Sequence, residues 1–251
     1  VARVETSVAV DDGPNILVAD TPPTTSSDTI DTWSFGARYR PSEQMSLYGR
    51  IASGYRPETA NLPLLDASGN NVAPVVVASD TVWSYEAGAK GSNSDGTVAY
   101  DVAAWYLNWE DLQARVFVNG VMTGGNANSD VTAYGFEGSL TFVPVDDLTV
   151  VASLAYTDST LDDDETSAFG AVAGENLPGI PEWAGAVRAN YDFTVNGTDG
   201  FVGGGIRYVG DMDTGYEGGT GADGSTITPL IYNFVLEDHF VADAHVGLRW
   251  D

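Results

Sequence analysis

Apolar and polar side chains alternate along residues 81–112, which read as two long strands joined by a polar turn. In the first strand Trp83 and Tyr85 alternate with Glu86 and Lys90. Successive side chains of a strand point to opposite faces, so one face is aromatic and apolar and the other carries charge. This pattern predicts a β-hairpin. It fits a lipid-exposed barrel strand, but a water-soluble sheet with one buried face would alternate in the same way.

The same alternation recurs along the chain, and no segment shows the apolar period of about 3.6 residues that an amphipathic helix requires. We predict ten strands, at residues 2–10, 31–40, 45–56, 81–91, 96–112, 131–143, 147–157, 182–194, 200–210 and 239–250. Short polar turns alternate with long segments rich in Gly, Asp, Thr, Ser and Pro, at residues 11–30, 57–80, 113–130, 158–181 and 211–238. Short periplasmic turns and long extracellular loops are typical of outer-membrane barrels. The predicted fold class is therefore all-β, an antiparallel transmembrane β-barrel of about ten long strands.

The charged residues of the predicted strands share one face. In residues 182–194, for example, Trp183, Val187 and Tyr191 alternate with Arg188 and Asp192. A cation on a lipid face costs about 2–4 kcal/mol at the bilayer midplane, whereas a lumen-facing cation can contact water or a carboxylate. The residues predicted to line the lumen wall are Arg38, Arg50, Arg56, Glu86, Lys90, Asp101, Glu137, Arg188, Asp192, Arg207, Asp243, His245 and Arg249.

Composition narrows the classes of function. The 251 residues include 36 Asp and Glu but only 10 Lys and Arg, a net charge of −26 that argues against a nucleic-acid partner. The absence of Cys excludes disulfides and thiolate metal sites. No run approaches the roughly 18 apolar residues of a transmembrane helix. Because the chain starts at Val1 without an initiator Met or a signal peptide, we expect a mature chain or an internal part of a longer one.

Several segments resemble, in their order along the chain, the C-terminal barrel region of TonB-dependent outer-membrane receptors. They are SLYGRIASGYRP (46–57), TVWSYEAGAKG (81–91), YDVAAWYLNWEDLQ (100–113), YGFEGSLTFVPVDDLTVVASLAYTDSTL (134–161), LPGIPEWAGAVRANYDF (177–193) and VGGGIRYVGDM (202–212). The resemblance runs from about residue 31 to the end of the chain. Residues 1–30 fit as a strand and a loop without a distinctive motif.

The resemblance implies a 22-stranded barrel in the bacterial outer membrane, occluded by a plug domain. It also implies import of a scarce ligand such as an iron siderophore, energised by the TonB–ExbB–ExbD complex through a TonB box ahead of the plug. The sequence contains about ten strands and neither plug nor TonB box. We therefore expect residues 1–251 to be one partial barrel region that has outer-membrane lipid and the plug of the same parent chain as partners, needs no cofactor and is not an enzyme. The alternative that ten strands close into a small barrel stays open, because outer-membrane barrels begin at 8 strands.

Two features of the long loops could bind a ligand. Tyr216 and Tyr232 offer aromatic rings, and loops on a rigid scaffold often carry binding function, although a flexible surface loop is the default. The acidic loop 158–165 could hold Ca²⁺ through carboxylate oxygens. It lacks the spacing and the glycine of an EF-hand, so a solvated acidic loop is the favoured interpretation and no metal site is predicted.

Two features of the strands carry alternatives of their own. In the family the charged wall faces the plug, so it could dock the plug or guide an anionic ligand; mutual neutralisation of neighbouring charges is favoured. Asp243 and His245 share a face and could form a catalytic pair, but no G-x-S-x-G motif supports this, and a structural ion pair is favoured.

The sequence thus leaves three hypotheses. The first is a segment of a TonB-dependent receptor. The second is a complete small outer-membrane barrel enzyme, a protease or lipase, and the third is a soluble carbohydrate-binding β protein. The third requires Trp83 and Trp183 to lie in a protein core.

Overall fold

The computed structural model describes residues 2–8, 24–66, 68–118, 121–230 and 233–249, and every regular element in these ranges is a β-strand. The strands are β1 (Ala2–Val8), β2 (Thr24–Ile30), β3 (Ser34–Ser42), β4 (Met45–Arg56), β5 (Thr59–Ala60), β6 (Val76–Val77), β7 (Asp80–Ser92), β8 (Val98–Glu110), β9 (Gln113–Val118), β10 (Val121–Asn126), β11 (Val131–Val145), β12 (Leu148–Leu161), β13 (Trp183–Val195), β14 (Thr198–Val209), β15 (Met212–Asp213), β16 (Gly219–Thr220), β17 (Thr226–Ile227), β18 (Val235–Leu236) and β19 (His239–Arg249). The described ranges hold no helix with the length and apolar character needed to cross a membrane.

Nine long strands form one antiparallel sheet in the order β3-β4-β7-β8-β11-β12-β13-β14-β19. Each strand pairs with the next long strand of the chain, so the sheet is a meander of hairpins. These nine strands correspond to nine of the ten predicted segments, and the all-β antiparallel prediction is confirmed. The sheet is open, with β3 and β19 at its edges, so the described strands do not close a small barrel.

The tenth predicted strand has a different partner. Strand β1 pairs with β2, from Ala2 opposite Ile30 to Val8 opposite Thr24, in a two-stranded sheet of its own. The predicted strand at residues 2–10 is thus found as β1, outside the nine-stranded sheet, whereas the assignment of residues 24–30 to a loop is wrong. The segment TTSSDTI is rich in β-branched Thr and Ile, which favour strand once a partner supplies the ladder hydrogen bonds.

The turns between paired long strands are short at one end of the sheet, where they leave only residues 43–44, 93–97, 146–147 and 196–197 outside the strands. At 196–197 the backbone has positive φ at both Asn196 (52°) and Gly197 (79°), the geometry that lets a two-residue turn follow strand twist. Because the strands alternate in direction, the long connections meet at the opposite end. Three of the long segments contain short paired strands, namely β5–β6 in 57–80, β9–β10 in 113–130, and both β15–β18 and β16–β17 in 211–238, so they are more ordered than the sequence predicted.

Strand register places one class of side chain on each face of the sheet. On the apolar face Tyr85 lies opposite Tyr106, and the ring of Phe136 stacks on that of Tyr156 at 5.6 Å. Large side chains here stay open to the surroundings, including Trp183 at 40%. A soluble protein rarely exposes a contiguous apolar surface of this extent. The arrangement contradicts the core position that a soluble carbohydrate-binding protein would require for Trp183.

Candidate functional site

The opposite face, here called the ionic face, collects the residues predicted for the lumen wall. Register connects them in rows: Lys90 lies opposite Asp101, which lies opposite Ser139, and Arg50 lies opposite Glu86. By strand parity all thirteen predicted wall residues share this face. That this face borders the lumen stays a prediction.

Many of these charges neutralise one another. Lys90 Nζ lies 2.7 Å from Asp101 Oδ2, and Arg249 Nη2 lies 3.2 Å from Asp192 Oδ1. The four side chains are each about half exposed, so each pair contributes little stability. Pairing of this kind agrees with the favoured interpretation of the charged wall.

Two further side-chain contacts, an ion pair and a hydrogen bond, reach from β13 to β19 across the intervening strand β14. Gly205 of β14 lies between Arg188 of β13 and Asp243 of β19, and the Arg188 Nη2 to Asp243 Oδ1 distance across it is 3.0 Å. At Gly203, Asn190 Oδ1 and His245 Nε2 meet at 2.9 Å. A Cβ atom on Gly203 would lie 2.6 Å from that nitrogen and overlap the amide oxygen. The glycine run in β14 therefore allows side chains of its two neighbouring strands to meet above it.

The Asp243–His245 pair is not arranged for catalysis. Nδ1 of His245 lies 3.9 Å from Oδ2 of Asp243, beyond hydrogen-bond range, and Arg188 engages the carboxylate instead. Nε2 of His245 contacts the Asn190 amide oxygen rather than a hydroxyl nucleophile. The geometry agrees with the structural alternative.

A buried carboxylate joins the sheet to the long connections. Asp80, 1% exposed, forms an ion pair with Arg56 and accepts backbone N–H groups of Arg56 and Gln113, each at 3.1 Å. The Gln113 amide donates to the carbonyls of Pro57 (2.9 Å) and Ala78 (2.8 Å), and the Arg56 guanidinium lies 4.9 Å from the Trp109 ring centroid. The sequence analysis missed Asp80, although its parity with Glu86 placed a carboxylate on the face that carries Arg56.

The acidic loop 158–165 contains a second buried carboxylate, Glu165, which is fully buried. Oε1 accepts Ser167 N (2.7 Å), Ser167 Oγ (2.8 Å) and Ala168 N (2.6 Å). Oε2 accepts Ser129 N at 3.1 Å and Asn128 N. The expectation of a solvated loop is wrong for this residue, because amide donors of two segments satisfy its charge. Within the described ranges no group of three or more His, Cys, Asp or Glu side chains is placed to hold a metal ion.

Other loop carboxylates act in the same way. Asp164 accepts the backbone N–H groups of Ala173 (2.9 Å) and Ala222 (2.5 Å), and Glu175 accepts those of Val172 (2.6 Å) and Gly218 (3.0 Å). These contacts fasten residues 162–182 to the connection between β14 and β19. We call the assembly of the long connections that follow β8, β12 and β14 the loop cap.

Tyr216, one of the two predicted ligand-binding residues, lies in the core of the loop cap. It is 7% exposed, and its ring stacks on Phe169 with a centroid distance of 5.3 Å. Burial, reinforced by the Glu175 and Glu165 carboxylates, raises the pKa of its hydroxyl well above the ordinary value. The structure tests no ligand at Tyr216, and Tyr232 lies outside the described residues.

Beside Tyr216 the loop cap forms a partly open cavity of about 530 Å³, here called the loop cavity. Its lining includes Arg115, Phe117, Met122, Phe169, Tyr216 and Leu230. This site was not predicted from the sequence, because its residues come from three connections and Arg115 and Leu230 are 115 positions apart.

The sheet is open and antiparallel, with an apolar face and an ionic face. It has short turns at one end and the packed loop cap at the other. These features define a section of an outer-membrane-type β-barrel wall. Residues 3–251 match the family model described as "TonB dependent receptor-like, beta-barrel". The chain belongs to this family, whose members are transporters of the Gram-negative outer membrane and not enzymes.

Solved structures of receptors share the fold. The ferric yersiniabactin uptake receptor FyuA from Yersinia pestis matches 90% of this chain with a TM-score of 0.62 and 16% identity. The ferric-catecholate import receptor Fiu from E. coli K12 matches 93% with 0.64 and 22%, and the siderophore receptor PiuA from Acinetobacter baumannii matches 93% with 0.64 and 17%. The match covers 30%, 30% and 31% of those three receptors, so this chain spans about a third of their length.

Proposed function

We propose that this chain forms barrel wall and cell-surface loops of a receptor that imports a scarce ligand, with a ferric siderophore as the ligand class. One observation carries the proposal: the sheet belongs to this receptor family, and the end with the long connections carries a loop cap that has its own cavity. The similarity to an uptake receptor for ferric yersiniabactin, an import receptor for ferric catecholates and a siderophore receptor supports the ligand class. We further propose that TonB–ExbB–ExbD energises the import through parts of the receptor that lie outside these residues.

The ionic face fits a plug domain as its partner. Among the described residues, no oppositely charged side chain lies within 4.0 Å of Arg50, Glu137 or Arg207. Charges left without an ionic partner on a lumen wall can pair with a domain that fills the lumen. We propose that the plug of the same parent chain supplies those partners and that lipid covers the apolar face.

Uptake of iron by cells tests the function. The complete receptor is expressed in a Gram-negative strain that lacks its own siderophore receptors, and cells are given radiolabelled ferric siderophores of catecholate, hydroxamate and phenolate type. We expect uptake of at least one type, and its loss in an otherwise equal strain without TonB. The empty vector is the control.

Three outcomes would contradict the proposal. Uptake of none of the ferric siderophores would reject the ligand class. Equal uptake with and without TonB would reject the energy source. Hydrolysis of a peptide or lipid ester by the purified receptor would revive the hypothesis of a barrel enzyme.

A further inference from the structure

The loop cavity combines one basic side chain with apolar and aromatic walls. We propose that it binds the organic part of an anionic ligand, in which one negative group contacts Arg115 and an adjoining aromatic group lies among the rings. The inference rests on the proposed function, because such a group would belong to the imported ligand.

Arg115 is available to a ligand. It lies in β9 opposite Gly124 of β10, which has no side chain to cover it. Its Nη1 contacts Sδ of Met122 at 3.6 Å, and a thioether is a weak acceptor. No carboxylate among the described residues lies within 4.0 Å of the guanidinium. By contrast, Arg56 at the base of the same cap is held by Asp80.

The other walls suit a flat apolar group. Phe117 and Met122 face each other across the β9–β10 hairpin, and the stacked rings of Phe169 and Tyr216 contribute the opposite side. A volume of about 530 Å³ lies within the range of small-molecule sites, which are mostly apolar with a few placed polar groups. The Tyr216 hydroxyl adds no negative charge, because a phenol is protonated at neutral pH.

The cavity is formed before a ligand arrives. The backbone N–H of Phe117 donates to the carbonyl of Ser167 at 3.0 Å, and that of Leu230 donates to Phe169 at 2.9 Å. Glu165 fixes the intervening residues 167 and 168 through their amide groups. Walls from three connections are thus joined by hydrogen bonds, which lowers the entropic cost of binding.

Charge sets the class of ligand. Of the residues that the structure describes, Arg115 is the one with a basic side chain lining the cavity, within a chain of net charge −26. The field of the whole chain opposes a polyanion, whereas a single negative group can contact the guanidinium directly. The site therefore favours an aromatic monoanion over a highly charged ligand.

Calorimetric titration of the complete receptor in detergent tests this assignment. The probes are salicylate and its neutral analogue salicylamide. We expect salicylate to bind at least about tenfold more tightly, because its carboxylate can form a charge-assisted hydrogen bond with Arg115 and the neutral amide of salicylamide cannot. Arg115→Gln should abolish this preference, and Arg115→Lys should restore part of it. Arg40→Gln is the matched control, because it removes an exposed cation beside the short turn between β3 and β4.

Several results would overturn the assignment: equal binding of the two probes, undiminished salicylate binding in Arg115→Gln, or no salicylate binding at all. Near-UV circular dichroism of Arg115→Gln checks that this substitution of an exposed side chain leaves the fold intact. The uptake assay separates this proposal from the preceding one. Arg115-dependent salicylate binding without siderophore uptake rejects only the proposed function, and uptake without salicylate binding rejects only the assignment of the cavity.

Discussion

Glu165 is a fully buried carboxylate that joins two segments of the loop cap, and its replacement by glutamine is expected to loosen that cap. The substitution preserves size and shape but exchanges one oxygen for an NH₂ group. Both oxygens of Glu165 act only as acceptors, from five donors in residues 128–129 and 167–168. An NH₂ group in either position therefore faces donors that it cannot satisfy.

The magnitude follows from the less costly orientation of the amide. If its oxygen keeps the three donors of Ser167 and Ala168, the NH₂ group faces the backbone N–H groups of Asn128 and Ser129. Each buried donor left without a partner costs about 1–3 kcal/mol. Ser129 is buried, whereas Asn128 is exposed and its N–H can bind water instead. The free energy of opening the cap should thus fall by about 1–3 kcal/mol, which is at least about fivefold in the opening equilibrium.

Amide hydrogen exchange of the complete receptor measures this change. Peptides that contain residues 128–129 and 167–168 should exchange at least about fivefold faster in Glu165→Gln, whereas the long strands should keep their protection. Asp223→Asn is the matched control, since this carboxylate accepts Ser225 N at 2.8 Å in an exposed turn and its replacement should change little. Unchanged exchange around Glu165, or an equal effect of the control, would refute the role assigned to it.

Three further predictions concern the two faces of the sheet and the loop cap. Val187→Arg on the apolar face should lower the free energy of unfolding in lipid vesicles by about 2–4 kcal/mol, while Ser153→Arg on the ionic face should cost less than about 1 kcal/mol; equal costs would argue against lipid on the apolar face. Gly203→Val should displace the bridge above it and make His245 more reactive to diethyl pyrocarbonate, and unchanged reactivity would contradict the bridge. The pKa of the Tyr216 hydroxyl is raised in the folded cap, so in the unfolded cap this hydroxyl ionises first, near its ordinary pKa of about 10. Rising pH therefore favours the unfolded cap, and the near-UV signal of the cap should weaken above that value. Tyr216→Phe should be less sensitive to alkali, and an identical alkaline transition would contradict this origin.

The sequence by itself determined the nine long strands of the sheet, the position of the long connections and the separation of charge from apolar surface. These are local properties, because a period of two assigns each residue of a strand to a face without reference to the rest of the chain. Trp183 and Arg188 could therefore be placed on opposite faces from the sequence alone. The pairing of β1 with β2 could not, since alternation identifies a strand but not its partner.

The tertiary structure decided the environment of the polar groups in the connections. Asp80 and Glu165 look like ordinary acidic loop residues in the sequence, and only the folded cap surrounds them with amide donors. The loop cavity has the same origin, because Arg115, Phe169 and Leu230 become neighbours only when three connections pack together. Burial and hydrogen bonding depend on contacts between distant segments, and those contacts leave no periodic signal in the sequence.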